Sequence, residues 1–124
     1  MSAVSILDLG YGNTRSVALA FERLGAAPLL TRSPGEAASA ERLVLPGVGA
    51  AASAMARLRE TGLDRAIAAR TGPTLGICLG MQLLFERSEE DGGTPLLGLL
   101  PGTVAALEPG PAAPVPNMGW CALF

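Results

Sequence analysis

With 124 residues, the chain has room for one ordinary domain and not for two. An apolar fraction of 49%, a mean hydropathy of +0.39 and only 16% charged residues exclude a disordered chain and imply a sizeable core. All nine basic residues are Arg, and against eleven acids they leave a formal net charge of −2, which does not suit a nucleic-acid binder.

The elements follow in short units. Val4 to Leu9 reads as a buried strand that stops at Gly10-Tyr11-Gly12. Asn13 is a candidate N-cap for a helix whose Val17, Ala20, Phe21 and Leu24 share a face, with Gly25 as its stop. Ala27 to Thr31 is a second strand, and Ser33-Pro34 opens a helical turn through Ala40. Arg42 to Leu45 is a third strand, cut off by Pro46-Gly47-Val48-Gly49. Ala50 to Arg59 is helical, and Leu63 to Arg70 extends it. Thr74 to Ile77 is a fourth strand running into Cys78-Leu79-Gly80, after which Met81, Leu84 and Phe85 pattern a helix. Glu89 to Thr94 is a polar loop, Thr103 to Leu107 a fifth strand candidate, and Glu108 to Pro116 a loop holding four of the ten Pro.

Short apolar strands alternating with helices predict a parallel sheet covered on both faces, the doubly wound α/β class. In such sheets the working residues gather beyond the carboxyl ends of the strands. Gly10 to Asn13, Pro46 to Gly49 and Gly76 to Gly80 all fall there, so they are expected to lie near one another along one sheet edge.

Gly76-Ile77-Cys78-Leu79-Gly80 has a nucleophile flanked by glycines on a strand-to-helix turn, which exposes the side chain and favours thiolate at a helix start. A buried Cys acting as a small hydrophobe is the plainer alternative. The backbone N–H groups of Val48 and Leu79 could hold an oxyanion, although Pro46 to Gly49 taken alone is an ordinary tight turn. Asp8 reads as a satisfied turn residue, and Gly10-Tyr11-Gly12-Asn13 lacks the spacing of a dinucleotide or phosphate loop. Trp120 and Cys121 read as core or interface residues. There is no His, so neither a Cys-His pair nor a His-ligated metal site can be completed within these residues. Two Cys, Cys78 and Cys121, make no disulfide framework. With no basic run ahead of an apolar N-terminal stretch and no apolar run of about 18 residues, a soluble cytosolic domain is expected.

Four segments carry a resemblance: Asp8 to Ser16 (DLGYGNTRS), Leu43 to Gly49 (LVLPGVG), Gly76 to Phe85 (GICLGMQLLF) and Met118-Gly119-Trp120. Together they resemble the class I (triad) glutamine amidotransferases. Pro-Gly-Val-Gly, where related members more often have Pro-Gly-Gly, points to the branch of glutaminase subunits that serve imidazole glycerol phosphate synthases in histidine biosynthesis. The resemblance runs end to end and implies a flavodoxin-like fold. It implies Cys78 as nucleophile on glutamine, with Val48 and Leu79 as oxyanion donors and Gly49 and Gln82 holding the substrate. No cofactor and no metal are implied. The partner would be a (β/α)₈-barrel cyclase subunit forming a heterodimer, met by Asn13, Met118 and Trp120.

The family's pattern ends in a His-x-Glu pair that this sequence does not contain. The chain is therefore expected to be the N-terminal part of one amidotransferase domain, truncated at its C-terminus, incomplete in its sheet beside Thr74 to Ile77 and inactive alone. A non-catalytic remnant that only binds the cyclase is the alternative. A glutaminase of another pathway, such as pyridoxal phosphate synthesis, is a third reading, and a flavin-type cofactor binder is disfavoured because no phosphate loop is present.

Overall fold

The computed structural model describes residues 2–124. Four parallel strands form the main sheet, β1 (Ala3–Leu7), β2 (Ala27–Thr31), β3 (Leu43–Leu45) and β4 (Thr74–Gly76), in the order β2-β1-β3-β4. Helix α1 (Thr14–Arg23) lies on one face. Helices α2 (Pro34–Ser39), α3 (Ala51–Thr61), α4 (Leu63–Ala69) and α5 (Leu79–Gln82) pack on the other, as a doubly wound sheet requires.

Side-chain alternation sets the two faces. Leu7, Leu43 and Leu45 point into the larger core with Ala54, Met55 and Leu58 of α3 and Leu63 and Ile67 of α4. Val4, Ile6 and Val44 point the other way, against Val17, Ala18 and Phe21 of α1. On that second face the register aligns Leu30, Ile6, Val44 and Leu75 across all four strands. Helix α1 covers the middle of the row, where Ile6 and Val44 are buried, and leaves Leu30 and Leu75 about half exposed. An apolar groove of about 220 Å³ runs beside Leu75, bounded by Val4, Phe21, Val44 and Pro73. Strand β4 pairs only with β3 among the described residues, which agrees with the expected thin cover there.

The helix caps follow local chemistry. Asn13 Oδ1 accepts the Ser16 N–H at 3.1 Å, and Ser33 Oγ accepts the Glu36 N–H at 3.2 Å with Pro34 in the first turn. Gly62, at φ 77°, ends α3 and begins α4, so the expected single extension is two helices.

Two expectations fail. Thr103 to Leu107 is not a fifth strand of the main sheet; only β7 (Thr103–Val104) pairs, parallel to β5 (Arg87–Ser88), in a separate sheet ordered β6-β5-β7 with β6 (Thr94–Pro95). The hydrogen bonds that would have carried it elsewhere are made locally, Glu86 N–H to Gly102 O and Glu89 N–H to Val104 O. Nor does a helix run through Phe85. The carbonyls of Leu83, Leu84 and Phe85 accept the N–H groups of Leu97 to Leu100, so α5 stops after one turn. No helix among the described residues is long and apolar enough to cross a membrane.

Candidate active site

Because β1, β3 and β4 are parallel, the loops after them emerge on the same edge of the sheet. The loops after β3 and β4 are in close contact. A Cβ placed on Gly47 would come 2.9 Å from the Gly80 nitrogen, and one on Gly80 would lie 1.8 Å from the Leu45 carbonyl oxygen. Only glycine allows the two backbones this approach. The Gly12 position faces the Val48 side chain at 3.8 Å, which brings the loop after β1 to the same place.

Cys78 sits between β4 and α5 at φ 54°, ψ −123°, a strained conformation for a residue with a side chain. The turn is held from both sides. Ile77 N–H donates to Leu45 O at 3.0 Å, and Gly80 N–H donates to Ile77 O at 2.9 Å. The thiol is exposed and free, so the alternative of a buried hydrophobe does not describe it. Strain at an exposed nucleophilic atom, locked by surrounding hydrogen bonds, is the arrangement of a nucleophile elbow.

The Leu79 N–H follows the thiol directly, and among the described residues neither it nor the Val48 N–H meets an acceptor. Leu79 is 5% exposed and fixed in the core, whereas Val48 is 51% exposed on its loop. The two candidate oxyanion donors therefore differ in how they are held: one is built into α5, the other lies on an exposed turn that includes Gly49 at φ 89°. A Cβ on Gly49 would meet nothing within 4 Å, so this turn has open space around it.

Gln82 N–H donates to Cys78 O at 3.2 Å, and its residue lines a cavity of about 350 Å³ with Ser88, Glu89, Glu90, Val104 and Ala106. The cavity thus adds two carboxylates that the sequence reading left in a polar loop. Glu90 begins a 3₁₀ turn (Glu90–Gly92), and its Oε2 accepts the Ala51 N–H at 3.0 Å, at the start of α3. Thirty-nine positions separate the two residues, too far for any spacing rule to connect them.

Asp8, at the end of β1, behaves as the expected turn residue. Its Oδ1 accepts the Gly10 N–H at 2.8 Å and its Oδ2 pairs with Arg32 at 2.8 Å. These interactions hold its carboxyl below the ordinary aspartate value, the Gly10 N–H first and Arg32 second. Asn13 is exposed beside this loop with its side chain used as a cap. Met118 and Trp120 are at 85% and 104% of full exposure and Cys121 is exposed and unpaired, so of the core-or-interface reading of Trp120 and Cys121 the core half is corrected. Four Pro fall between Glu108 and Pro116, where the only pairing among the described residues is an isolated bridge of Gly110 with Ala113. No group of three or more Cys, Asp or Glu is placed to hold a metal among the described residues.

Comparison with known proteins agrees along nearly the whole sequence. The family model described as "Glutamine amidotransferase class-I" matches residues 5–120. The HisH subunit of imidazole glycerol phosphate synthase from Xylella fastidiosa strain Temecula1 is 50% identical over 120 residues, which is 97% of this chain and 60% of that protein. The HisH subunit from Moorella thermoacetica is 50% identical over 123 residues, covering 97% of this chain and 58% of its own length. The chain therefore spans about three fifths of the curated relatives it matches. A crystal structure of a glutamine amidotransferase superposes with a TM-score of 0.71 at 25% identity, covering 82% of this chain and 55% of the other.

Proposed function

The chain belongs to the class-I glutamine amidotransferase family, and from that premise we propose that it is the nucleophile-bearing part of the glutaminase subunit of imidazole glycerol phosphate synthase. The observation that carries the reading is Cys78, held at φ 54° on a glycine-flanked turn, with the N–H of the next residue, Leu79, meeting no acceptor among the described residues. Cys78 Sγ attacks the side-chain amide carbon of L-glutamine. The carbonyl oxygen becomes an oxyanion, received by the N–H groups of Leu79 and Val48. The C–N bond breaks, the proton given up by the Cys78 thiol goes to the leaving nitrogen so that ammonia departs, and water then hydrolyses the glutamyl thioester to glutamate and restores the thiol.

Gly49 and Gln82 hold the amino-acid end of the substrate, and the carboxylates of the Gln82 cavity suit its α-ammonium. Asn13, Met118 and Trp120 form the face toward a barrel-shaped cyclase subunit, which takes the ammonia. The reaction belongs to the cytoplasm and uses no cofactor. The 124 residues form part of a single amidotransferase domain. They hold no His, so no imidazole is present to move protons at Cys78 and turnover by this chain alone is negligible.

The test compares two proteins. The 124-residue chain is expected to release no glutamate from L-glutamine. The same chain joined to the region of a relative that carries the family's His-x-Glu pair is expected to turn over, and Cys78→Ala is expected to abolish that activity. Turnover that survives Cys78→Ala removes the reading.

A further inference from the structure

At the opposite end of the sheet from β4, the ends of the parallel strands β1 and β2 meet the second half of α3. A depression of about 110 Å³ opens there. The buried Leu9 and Leu63 give it an apolar lining, and Asp8, Arg32 and Arg57 give it charge.

The charges do not cancel. Asp8 is already committed on both oxygens, Oδ1 accepting the Gly10 N–H at 2.8 Å and Oδ2 meeting Arg32 Nε at 2.9 Å and Nη2 at 2.8 Å. The Gly10 N–H first and Arg32 next keep that carboxyl ionised, with a smaller contribution from Arg57. Asp8 and Arg32 therefore neutralise each other. Arg57 makes no ion pair and donates no side-chain hydrogen bond to protein among the described residues, which leaves one positive charge uncompensated. The Thr61 hydroxyl on the same rim is turned back to the Arg57 and Leu58 carbonyls, at 2.8 and 3.2 Å, so the free donors of the depression are guanidinium N–H groups.

The guanidinium of Arg57 has a defined place. Its Nη2 lies 3.1 Å from where a Cβ on Gly10 would stand, so the bare Cα of Gly10 is what admits it over the loop after β1. Arg32 Nη1, not used by Asp8, faces the same depression from the end of β2. Two planar forks from different elements thus border one small volume, the donor set that suits an oxyanion.

We propose that this depression binds a small oxyanion of the phosphate class, held by Arg57 and by the N–H groups of Arg32 that Asp8 leaves free. The ligand joins α3 to the end of β2 across the loop after β1 and neutralises the uncompensated charge. The site is separate from Cys78 and does not depend on the glutamine chemistry.

Inorganic phosphate titrated into the full chain at pH 7 tests it, with sodium chloride adjusted to hold ionic strength constant and amide NMR as the readout. The amides of Gly10, Arg32 and Thr61 are expected to shift along one saturating curve, and those of α4 to stay still. Arg57→Met keeps an apolar stem over Gly10 and should weaken binding at least about tenfold, the loss of charge-assisted hydrogen bonds. Arg65→Met removes the same charge from an exposed position on α4 and should leave the affinity unchanged. Asp8→Asn keeps an acceptor for the Gly10 N–H but frees Arg32, so phosphate should bind several-fold more tightly, an effect of opposite sign that mere loosening of the loop would not produce. Shifts that rise without saturating, equal weakening in Arg57→Met and Arg65→Met, or weaker binding in Asp8→Asn would each overturn the proposal.

Discussion

Gly80→Ala puts the close approach of the site's two backbones to a quantitative test. The added methyl would stand 1.8 Å from the Leu45 carbonyl oxygen, 2.6 Å from its carbon and 3.1 Å from the Pro46 carbon, all main-chain atoms that no rotamer change can move aside. Reaching even 3.0 Å requires α5 and the end of β3 to separate by about 1.2 Å, which stretches the 3.0 Å bond from Ile77 N–H to the same Leu45 oxygen past its useful range. Overpacking of this kind costs about 1–3 kcal/mol, and a lost buried hydrogen bond about 1 kcal/mol more, together roughly 3 kcal/mol. Against a total stability of about 5–15 kcal/mol for a domain, that is a large fraction. The assay is urea unfolding beside Gly35→Ala, a helical control where a new methyl meets nothing within 4 Å and a small gain of about 0.5 kcal/mol is expected. Parallel iodoacetamide labelling of Cys78 in native buffer should show a changed rate in Gly80→Ala alone. A loss below about 1 kcal/mol for Gly80→Ala would refute the claim that the two loops are in backbone contact.

Further expectations rest on other parts of the molecule. Cys78→Gly removes the strain at φ 54° and should raise the unfolding free energy by about 1 kcal/mol, read from the urea midpoint, while ending any chemistry at this position. Asp8 has its carboxyl held below the usual value when folded, so its contribution is complete above about pH 4 and disappears as pH falls through the folded value. Asp8→Asn should therefore destabilise by about 1 kcal/mol at pH 7, with the difference from wild type vanishing in acid denaturation series at low pH; a constant difference would contradict the assignment. Arg70 joins three elements, donating to Ala37 O at 2.7 Å, Ala40 O at 2.8 Å, Pro73 O at 3.1 Å and Thr74 Oγ1 at 3.1 Å. Arg70→Met leaves those acceptors behind and should cost about 2–3 kcal/mol in thermal or urea unfolding, with Arg70→Lys recovering only part because it lacks the planar fork.

What could be read in advance was the chemistry that acts over a few residues. Asn13 and Ser33 announce their helices because a side-chain oxygen reaches an N–H three positions on, and both do so in the structure. The strand Ala27–Thr31 was legible from its apolar run between Gly25 and Ser33-Pro34. The three loops could be placed on one edge because parallel strands leave no other choice. Beyond that range the sequence pattern carries little. β5, β6 and β7 have two residues each, too few for any period to show, and they pair through neighbours six to sixteen positions away. Helix α5 ends early because the backbone at Leu97 to Leu100 takes the carbonyls of Leu83 to Phe85, just beyond its end, an event that Met81, Leu84 and Phe85 do not announce. Within the candidate site, glycine spacing was what singled out Cys78, Val48 and Leu79, and the structure shows the first of them exposed on a strained turn. Glu90 was not singled out, because its role comes from a helix start 39 residues away.

The position of β4 has a thermodynamic consequence. Among the described residues the strand that leads into Cys78 pairs on one side only, with Leu75 half exposed beside its groove, while β1 at the middle of the sheet is flanked by strands on both sides. Opening of β4 and α5 therefore requires less free energy than unfolding the whole molecule, and Cys78 belongs to that part. A ligand that touches both the loop after β3 and the turn after β4 binds only when the edge is closed. Its binding energy is then added to the local stability of that edge, in proportion to the logarithm of its concentration above its dissociation constant. Substrate and framework are in this way linked: filling the site fastens the last strand to the sheet, and anything that braces the open side of β4 tightens the hold on substrate by the same factor.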